Sequence, residues 1–71
     1  MKANKTSSII TATFILERET KGAVRYQEID DKDQPVEMIA AKIGTLYIRK
    51  TAFEVGGNVP KRLIVTVEPR Y

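Results

Sequence analysis

The chain has 71 residues, a net charge of +3, no cysteine and no histidine. This length corresponds to one small domain, and the missing residue types exclude disulfides and argue against a structural zinc site. A small core without such support is often stabilised by oligomerisation, so we expect a homodimer.

Residues 1–7 are polar and show no periodicity, so we expect a disordered leader followed by one domain over residues 8–71. The apolar run from Ile9 to Leu16 is interrupted by threonines at strand spacing, which argues against a secretion signal. No run approaches the ~20 apolar residues of a membrane helix. We therefore expect a cytoplasmic protein without membrane contact.

A hairpin is predicted near the start of the domain. Apolar side chains at even positions indicate a first strand over residues 8–19. The segment Glu19-Thr20-Lys21-Gly22-Ala23 is typical of a three-residue loop in which Gly22 takes a positive φ. The resulting register predicts three cross-strand pairs: Glu19 with Ala23, Glu17 with Arg25, and Leu16 with Tyr26.

The second strand is predicted over residues 23–29, and an acidic segment, DDKDQP, follows it. This segment lacks the glycine and the glutamate that a calcium loop requires at its sixth and twelfth positions, so a solvated turn is expected. Residues 36–41, VEMIAA, fit either an irregular run or one short helical turn, and residues 36–39 alternatively fit an additional edge strand.

The segment KIGTLYIRK, residues 42–50, is the strongest strand signal, and we expect its strand, over 44–50, to be central in the sheet. Leu46 and Ile48 fall on the core face, whereas Tyr47 and Arg49 fall on the opposite face. A turn after this strand is predicted to place Phe53 at the end of the core. A glycine-rich loop then leads to a fourth strand over 62–68.

These elements predict an all-β domain that can include one short helical turn. Its architecture is an antiparallel sheet of four to five strands or a small open barrel. The predicted core comprises Ile10, Phe14, Leu16, Val24, Tyr26, Leu46, Ile48, Leu63, Val65 and Val67.

The residue types available argue against an enzyme. Nucleophilic catalysis needs a base beside serine or cysteine, and the only serines are Ser7 and Ser8. Four main strands leave little depth for a cleft between two carboxylates. We expect no catalytic, cofactor-binding or metal-binding residue and no small-molecule substrate.

The face opposite the core is rich in isoleucine, which indicates a covered surface. Such residues form either a dimer seam or the inside of a curled sheet. The first hypothesis is therefore an interaction module that self-associates through this face. Its predicted dimer residues are Ile9, Ile15, Ile29, Ile43 and Ile64.

The alternative hypothesis is a binder of single-stranded nucleic acid. Tyr47 would stack on a base while Arg25 and Arg49 contact phosphates. The strand ends would add further positive charge through Lys50, Lys61 and Arg62.

Three segments, FILERETKGAVRYQEI, KIGTLYIRK and PKRLIVTVE, resemble small uncharacterised proteins of bacterial genomes and mobile elements. Those proteins share a Glu-Thr-Lys turn followed by a Gly-Thr-Leu-Tyr strand. The resemblance implies one compact domain from about Phe14 to Glu68, and it implies no activity and no functional residue.

Overall fold

The computed structural model describes residues 9–53 and 58–70. Four antiparallel strands form one curled sheet, a half-barrel, which confirms the predicted all-β class. The strands are β1 (Ile10–Glu19), β2 (Ala23–Ile29), β3 (Thr45–Arg49) and β4 (Arg62–Val67). The predicted leader and the Val55-Gly56-Gly57 part of the predicted loop lie outside the described residues. No helix in the described ranges is long and apolar enough to cross a membrane.

The strand order is β3-β2-β1-β4, so the fourth strand lies beside the first. This order is that of a Greek key, in which the connection from β3 to β4 passes from one edge of the sheet to the other. The prediction of a central KIGTLYIRK strand is therefore wrong. Apolar content indicates which residues are buried, but it does not determine the order of the strands. The β1–β2 hairpin leaves one outer side on each strand, and β3 pairs with β2 while β4 pairs with β1, so β3 is an edge strand.

The hairpin register agrees with the prediction in part. Leu16 pairs with Tyr26 as expected, but Glu19 faces Val24 instead of Ala23, because a β-bulge interrupts β1 between Leu16 and Arg18. The extra residue of the bulge therefore lies in the strand and not in the loop. Gly22 does not take the expected positive φ, and the loop is closed by the Thr20 side chain, whose Oγ1 accepts a hydrogen bond from the Ala23 N–H.

The concave face of the sheet carries the core. Phe14, Val24 and Tyr26 are fully buried, and Ala12 is nearly so. Phe53 packs on this cluster as predicted, with its ring edge-on to Tyr26 at 6.4 Å. The Tyr26 hydroxyl donates to the Pro60 carbonyl at 2.8 Å, which ties the β3–β4 connection to the core. The remaining partly buried members are Leu16, Ile43, Leu46, Ile48, Val59, Leu63 and Val65.

The prediction is wrong for two of the core residues. Ile10 and Val67 are 37% and 41% exposed. They form the last pair of β1 and β4, beyond Thr13, where the pairing of β1 with β2 ends. Among the residues that the structure describes, the sheet is only two strands wide at this end, so no third strand covers the two side chains.

The connection from β2 to β3 folds back over the end of β2. Pro35 forms an isolated bridge to Ile29, and a single 3-10 turn follows at Met38–Ala40. The helical alternative for this segment is therefore confirmed, as one turn. The side chains of Met38 and Ile39 point to solvent and are 87% and 93% exposed.

Candidate functional site

The outer face, defined as the sheet face opposite the core, carries the side chains from which the two functional hypotheses were drawn. Its composition differs between the two sides of the half-barrel. The β2–β3 side carries arginines and a tyrosine, whereas the β1–β4 side carries isoleucines and threonines. The two predicted surfaces therefore lie on different halves of one face.

Arg25 and Tyr47 are directly opposite each other on β2 and β3. The guanidinium carbon of Arg25 lies 5.8 Å from the centre of the Tyr47 ring, which is a cation–π contact. Arg49 follows on the same face of β3, opposite Ala23. We call these three residues, Arg25, Tyr47 and Arg49, the basic-aromatic surface.

The charge of Arg25 is partly balanced inside the domain. Its Nε lies 3.1 Å from Oε1 of Glu17, the residue displaced by the bulge. The Nε–H does not point at that oxygen, so the contact is an ion pair without an aligned hydrogen bond. The Tyr47 ring remains 57% exposed beside this pair, so it is accessible to a ligand.

The other predicted basic residues are not part of this surface. The Lys50 ammonium lies 3.2 Å from Glu19, and Arg62 lies 3.2 Å from Asp33. Lys61 and Arg62 lie at the start of β4, three strands from β3, or about 14 Å across the sheet. The six predicted basic and aromatic contacts therefore do not form a single patch.

The predicted dimer isoleucines separate into two groups. Ile29 has Thr13 on one side and Pro35 on the other and is only 4% exposed, and Ile43 packs against the core. These two residues are used within the domain and are not available to a partner. Ile64 is 74% exposed, Ile9 is 47% exposed, and Ile15 is half-buried. We call Ile9, Ile15 and Ile64 the β4-side surface.

Glu28 is a buried residue whose role was not predicted. Its side chain is on the core face of β2, and the residue is 4% exposed. The carboxylate accepts hydrogen bonds from the backbone N–H groups of Ile43 and Gly44, both at 2.8 Å, and of Lys42 at 3.1 Å. Burial on its own raises the pKa of this carboxyl, but the three backbone donors and the Lys42 ammonium outweigh it and lower the pKa below its ordinary value.

A groove of about 780 Å³ lies between β1 and the β2–β3 connection. Asp30, Asp31 and Glu37 line it, together with the Asp33–Arg62 ion pair. Within residues 9–53 and 58–70 no three acidic side chains are grouped so as to hold a metal ion. The groove places negative charge next to Arg62, which makes this end of the sheet unfavourable for a phosphate backbone.

No protein-family model, curated protein or solved structure matches this chain.

Proposed function

We propose that this chain is a non-enzymatic interaction module that self-associates through its β4-side surface. The observation that carries the proposal is the exposure of Ile64. This large apolar side chain is 74% exposed although it lies in the middle of a strand, next to Thr13 of β1. The half-buried Ile15 is the diagonal neighbour of Ile64 and extends the apolar area, whereas Ile9 lies on the same face beyond Thr11 and Thr13. An exposed apolar area on a small domain is typical of a protein contact.

The proposal is tested by replacing Ile64 with threonine and measuring molar mass by light scattering over a range of concentrations. Threonine keeps the β-branched shape that suits a strand but removes apolar area. Both copies in a dimer lose this apolar area at the contact, so we expect dimerisation to weaken at least about tenfold. The matched control is Ile39→Thr, the same change at a site that is 93% exposed on the 3-10 turn.

Three results are distinguishable. Loss of association in Ile64→Thr alone supports the proposal. Loss in Ile39→Thr alone moves the contact to the 3-10 turn and contradicts the assigned surface. A chain that stays monomeric at high concentration contradicts self-association altogether.

A second candidate function is binding of single-stranded nucleic acid by the basic-aromatic surface. The observation in its favour is the cation–π pair of Arg25 and Tyr47, because it holds an exposed ring beside a positive charge. Bases stack on such rings whatever their sequence, and arginines contact the phosphates between them. This surface is on the other half of the outer face from Ile64, so the two functions are compatible.

A fluorescent oligonucleotide tests this second candidate. Two phosphate contacts, from Arg25 and Arg49, predict a slope of log K against log salt of about −1.4 for a single strand. Tyr47→Ala is expected to weaken binding about tenfold or more, whereas Tyr47→Phe retains the ring and most of the affinity. Absence of binding at low salt would eliminate the candidate, and equal affinity of Tyr47→Ala would remove Tyr47 from the contact.

A further inference from the structure

The outer edge of β4 carries unpaired backbone groups. β4 is the last strand of the order β3-β2-β1-β4, and in the described part of the chain β1 is its one strand neighbour. The Leu16 N–H donates to the Lys61 carbonyl at 2.8 Å. Hydrogen-bonded pairs alternate along an antiparallel ladder, so residues 63, 65 and 67 also bond to β1. The backbone N–H and C=O groups of residues 62, 64 and 66 therefore point away from the sheet.

The exposed apolar side chains of β4 lie on both faces of the sheet. Ile64 is on the outer face and is 74% exposed, whereas Val67 is on the core face and is 41% exposed. Two sheets stacked by their outer faces would cover Ile64 and leave Val67 open. A strand added along the edge becomes a neighbour of both side chains and also satisfies the outward backbone groups.

We propose that a second copy of this chain adds to β4 by antiparallel pairing of the two β4 strands, with Val65 opposite Val65 of the second copy. This inference rests on the proposed self-association and specifies its geometry: of the β4-side surface, Ile64 lies at the seam, and Ile9 and Ile15 lie one strand away from it. The two half-barrel sheets then form one continuous sheet of eight strands. The two basic-aromatic surfaces lie toward its far ends, away from the seam.

Charge favours this register over its two neighbours, in which Ile64 or Thr66 lies on the axis. With Val65 on the twofold axis, Arg62 lies opposite Glu68 of the second copy, which gives two cross-strand pairs of opposite charge. With Thr66 on the axis, Arg62 would instead lie opposite Arg70, and with Ile64 on the axis Glu68 would face Pro60. Both Arg62 and Glu68 are on the outer-face side of β4 by alternation, so their side chains are next to each other across the seam.

The partners that Arg62 and Glu68 have within the chain do not prevent this arrangement. Arg62 contacts Asp33 at 3.2 Å, and Glu68 lies 3.9 Å from Arg70, and all four side chains are at least half exposed. Exposed ion pairs of this kind contribute little to stability. The Arg62 guanidinium also has enough donors to contact two carboxylates at once.

Disulfide trapping tests the register, because the chain has no cysteine of its own. In the proposed dimer Val65 and its symmetry mate form a non-hydrogen-bonded pair with Cα atoms about 4.5 Å apart, within disulfide range. The corresponding distances are about 8 Å for Ile64 and about 14 Å for Leu63. We expect Val65→Cys to form a covalent dimer under mild oxidation and Leu63→Cys to remain monomeric.

Ile64→Cys is the most informative control, since Ile64 is the more exposed position. If random collisions determined cross-linking, Ile64→Cys would link faster than Val65→Cys. Faster linking at Val65 is the result expected. Faster linking at Ile64 would overturn the register, and so would a dimer in solution that shows no Val65 link. Absence of any dimer would instead contradict the self-association on which the inference rests.

A charge exchange supplies a second test that does not depend on the stability of the cysteine variants. Arg62→Glu or Glu68→Arg alone places like charges opposite each other twice, so we expect dimerisation to weaken about tenfold. The double variant with both changes restores opposite charges and is expected to recover the affinity of the original chain. Asp33→Asn is the control, because it removes the internal partner of Arg62 and should leave dimerisation unchanged. Failure of the double variant to recover would overturn the pairing of Arg62 with Glu68.

Discussion

The Glu28 side chain links the end of β2 to residues 42–44, which lead into β3. Alternation places its side chain on the core face after Val24 and Tyr26, where a carboxylate is costly unless it is hydrogen-bonded. The three backbone N–H groups of residues 42–44 meet this requirement. The pattern indicates the face on which Glu28 lies but not its partners, because those N–H groups become available only after the chain has turned back toward β2.

We expect Glu28→Gln to lower the free energy of unfolding by about 1–3 kcal/mol. The amide keeps the shape of the side chain but loses the charge. Its NH₂ group replaces an oxygen that accepted a backbone hydrogen bond, so two donors would then face each other. Urea unfolding followed by circular dichroism measures the change. Glu37→Gln is the control, because Glu37 is exposed and the same substitution there should change stability by less than about 0.5 kcal/mol.

The lowered pKa of Glu28 also predicts loss of stability in acid. The ordinary pKa of the carboxyl is 4.5, and the folded value is below it, so on acidification the unfolded chain takes up the proton first. Stability should be highest above pH 4.5 and fall as the pH decreases through the folded value. Asp30 acts in the same direction, because hydrogen bonds from the N–H groups of Gln34 and Lys32 lower its pKa. An acid profile of Glu28→Gln as steep as that of the original chain would contradict this role.

At the scale of the elements, the strands and their faces were predicted well, whereas the turns and the order of the strands were not. The bounds of β2 agree with the prediction, and those of the other strands differ by one or two residues. The Glu17–Arg25 ion pair was expected from a regular register and is present at 3.1 Å in spite of the bulge. Alternation depends on neighbouring residues only, and for this reason it can be read from the sequence. The position of a bulge depends on which residues of β1 meet Tyr26 and Val24 across the hairpin.

Two glycines test the account of the turns. Gly44 has a φ of 95°, which other residues adopt only with strain, whereas Gly22 does not have a positive φ. A methyl group added at either position would have no atom within 4 Å. Steric contact with neighbouring residues therefore does not distinguish the two alanine variants, and the difference between them is the backbone φ. We expect Gly44→Ala to destabilise by about 1–2 kcal/mol and Gly22→Ala to change stability by less than about 0.5 kcal/mol, measured by thermal unfolding. Similar losses in both variants would contradict the assignment of strain to Gly44.

At the scale of the whole molecule, the outer face was predicted as one surface and is in fact divided. Sequence pattern assigned five isoleucines to it, but Ile29 is covered with the help of Pro35 in the β2–β3 connection, and Ile43, within that connection, packs against the core. That coverage is a tertiary effect that alternation cannot indicate. Arg25 and Tyr47, in contrast, do come together, because both follow directly from the pairing of β2 with β3. Ile64 stays exposed in the interior of β4, which is an edge strand of the sheet.

Amide hydrogen exchange at two protein concentrations tests self-association along β4 most directly. We predict that the outward N–H groups of Ile64 and Thr66 exchange slowly in concentrated solution and rapidly after dilution, because the second copy provides their acceptors. The N–H groups of Tyr47 and Arg49, on the open edge of β3, should exchange rapidly at both concentrations. Equal exchange of Ile64 and Thr66 at both concentrations would contradict the account, and concentration-dependent protection at Tyr47 and Arg49 would place the contact on β3.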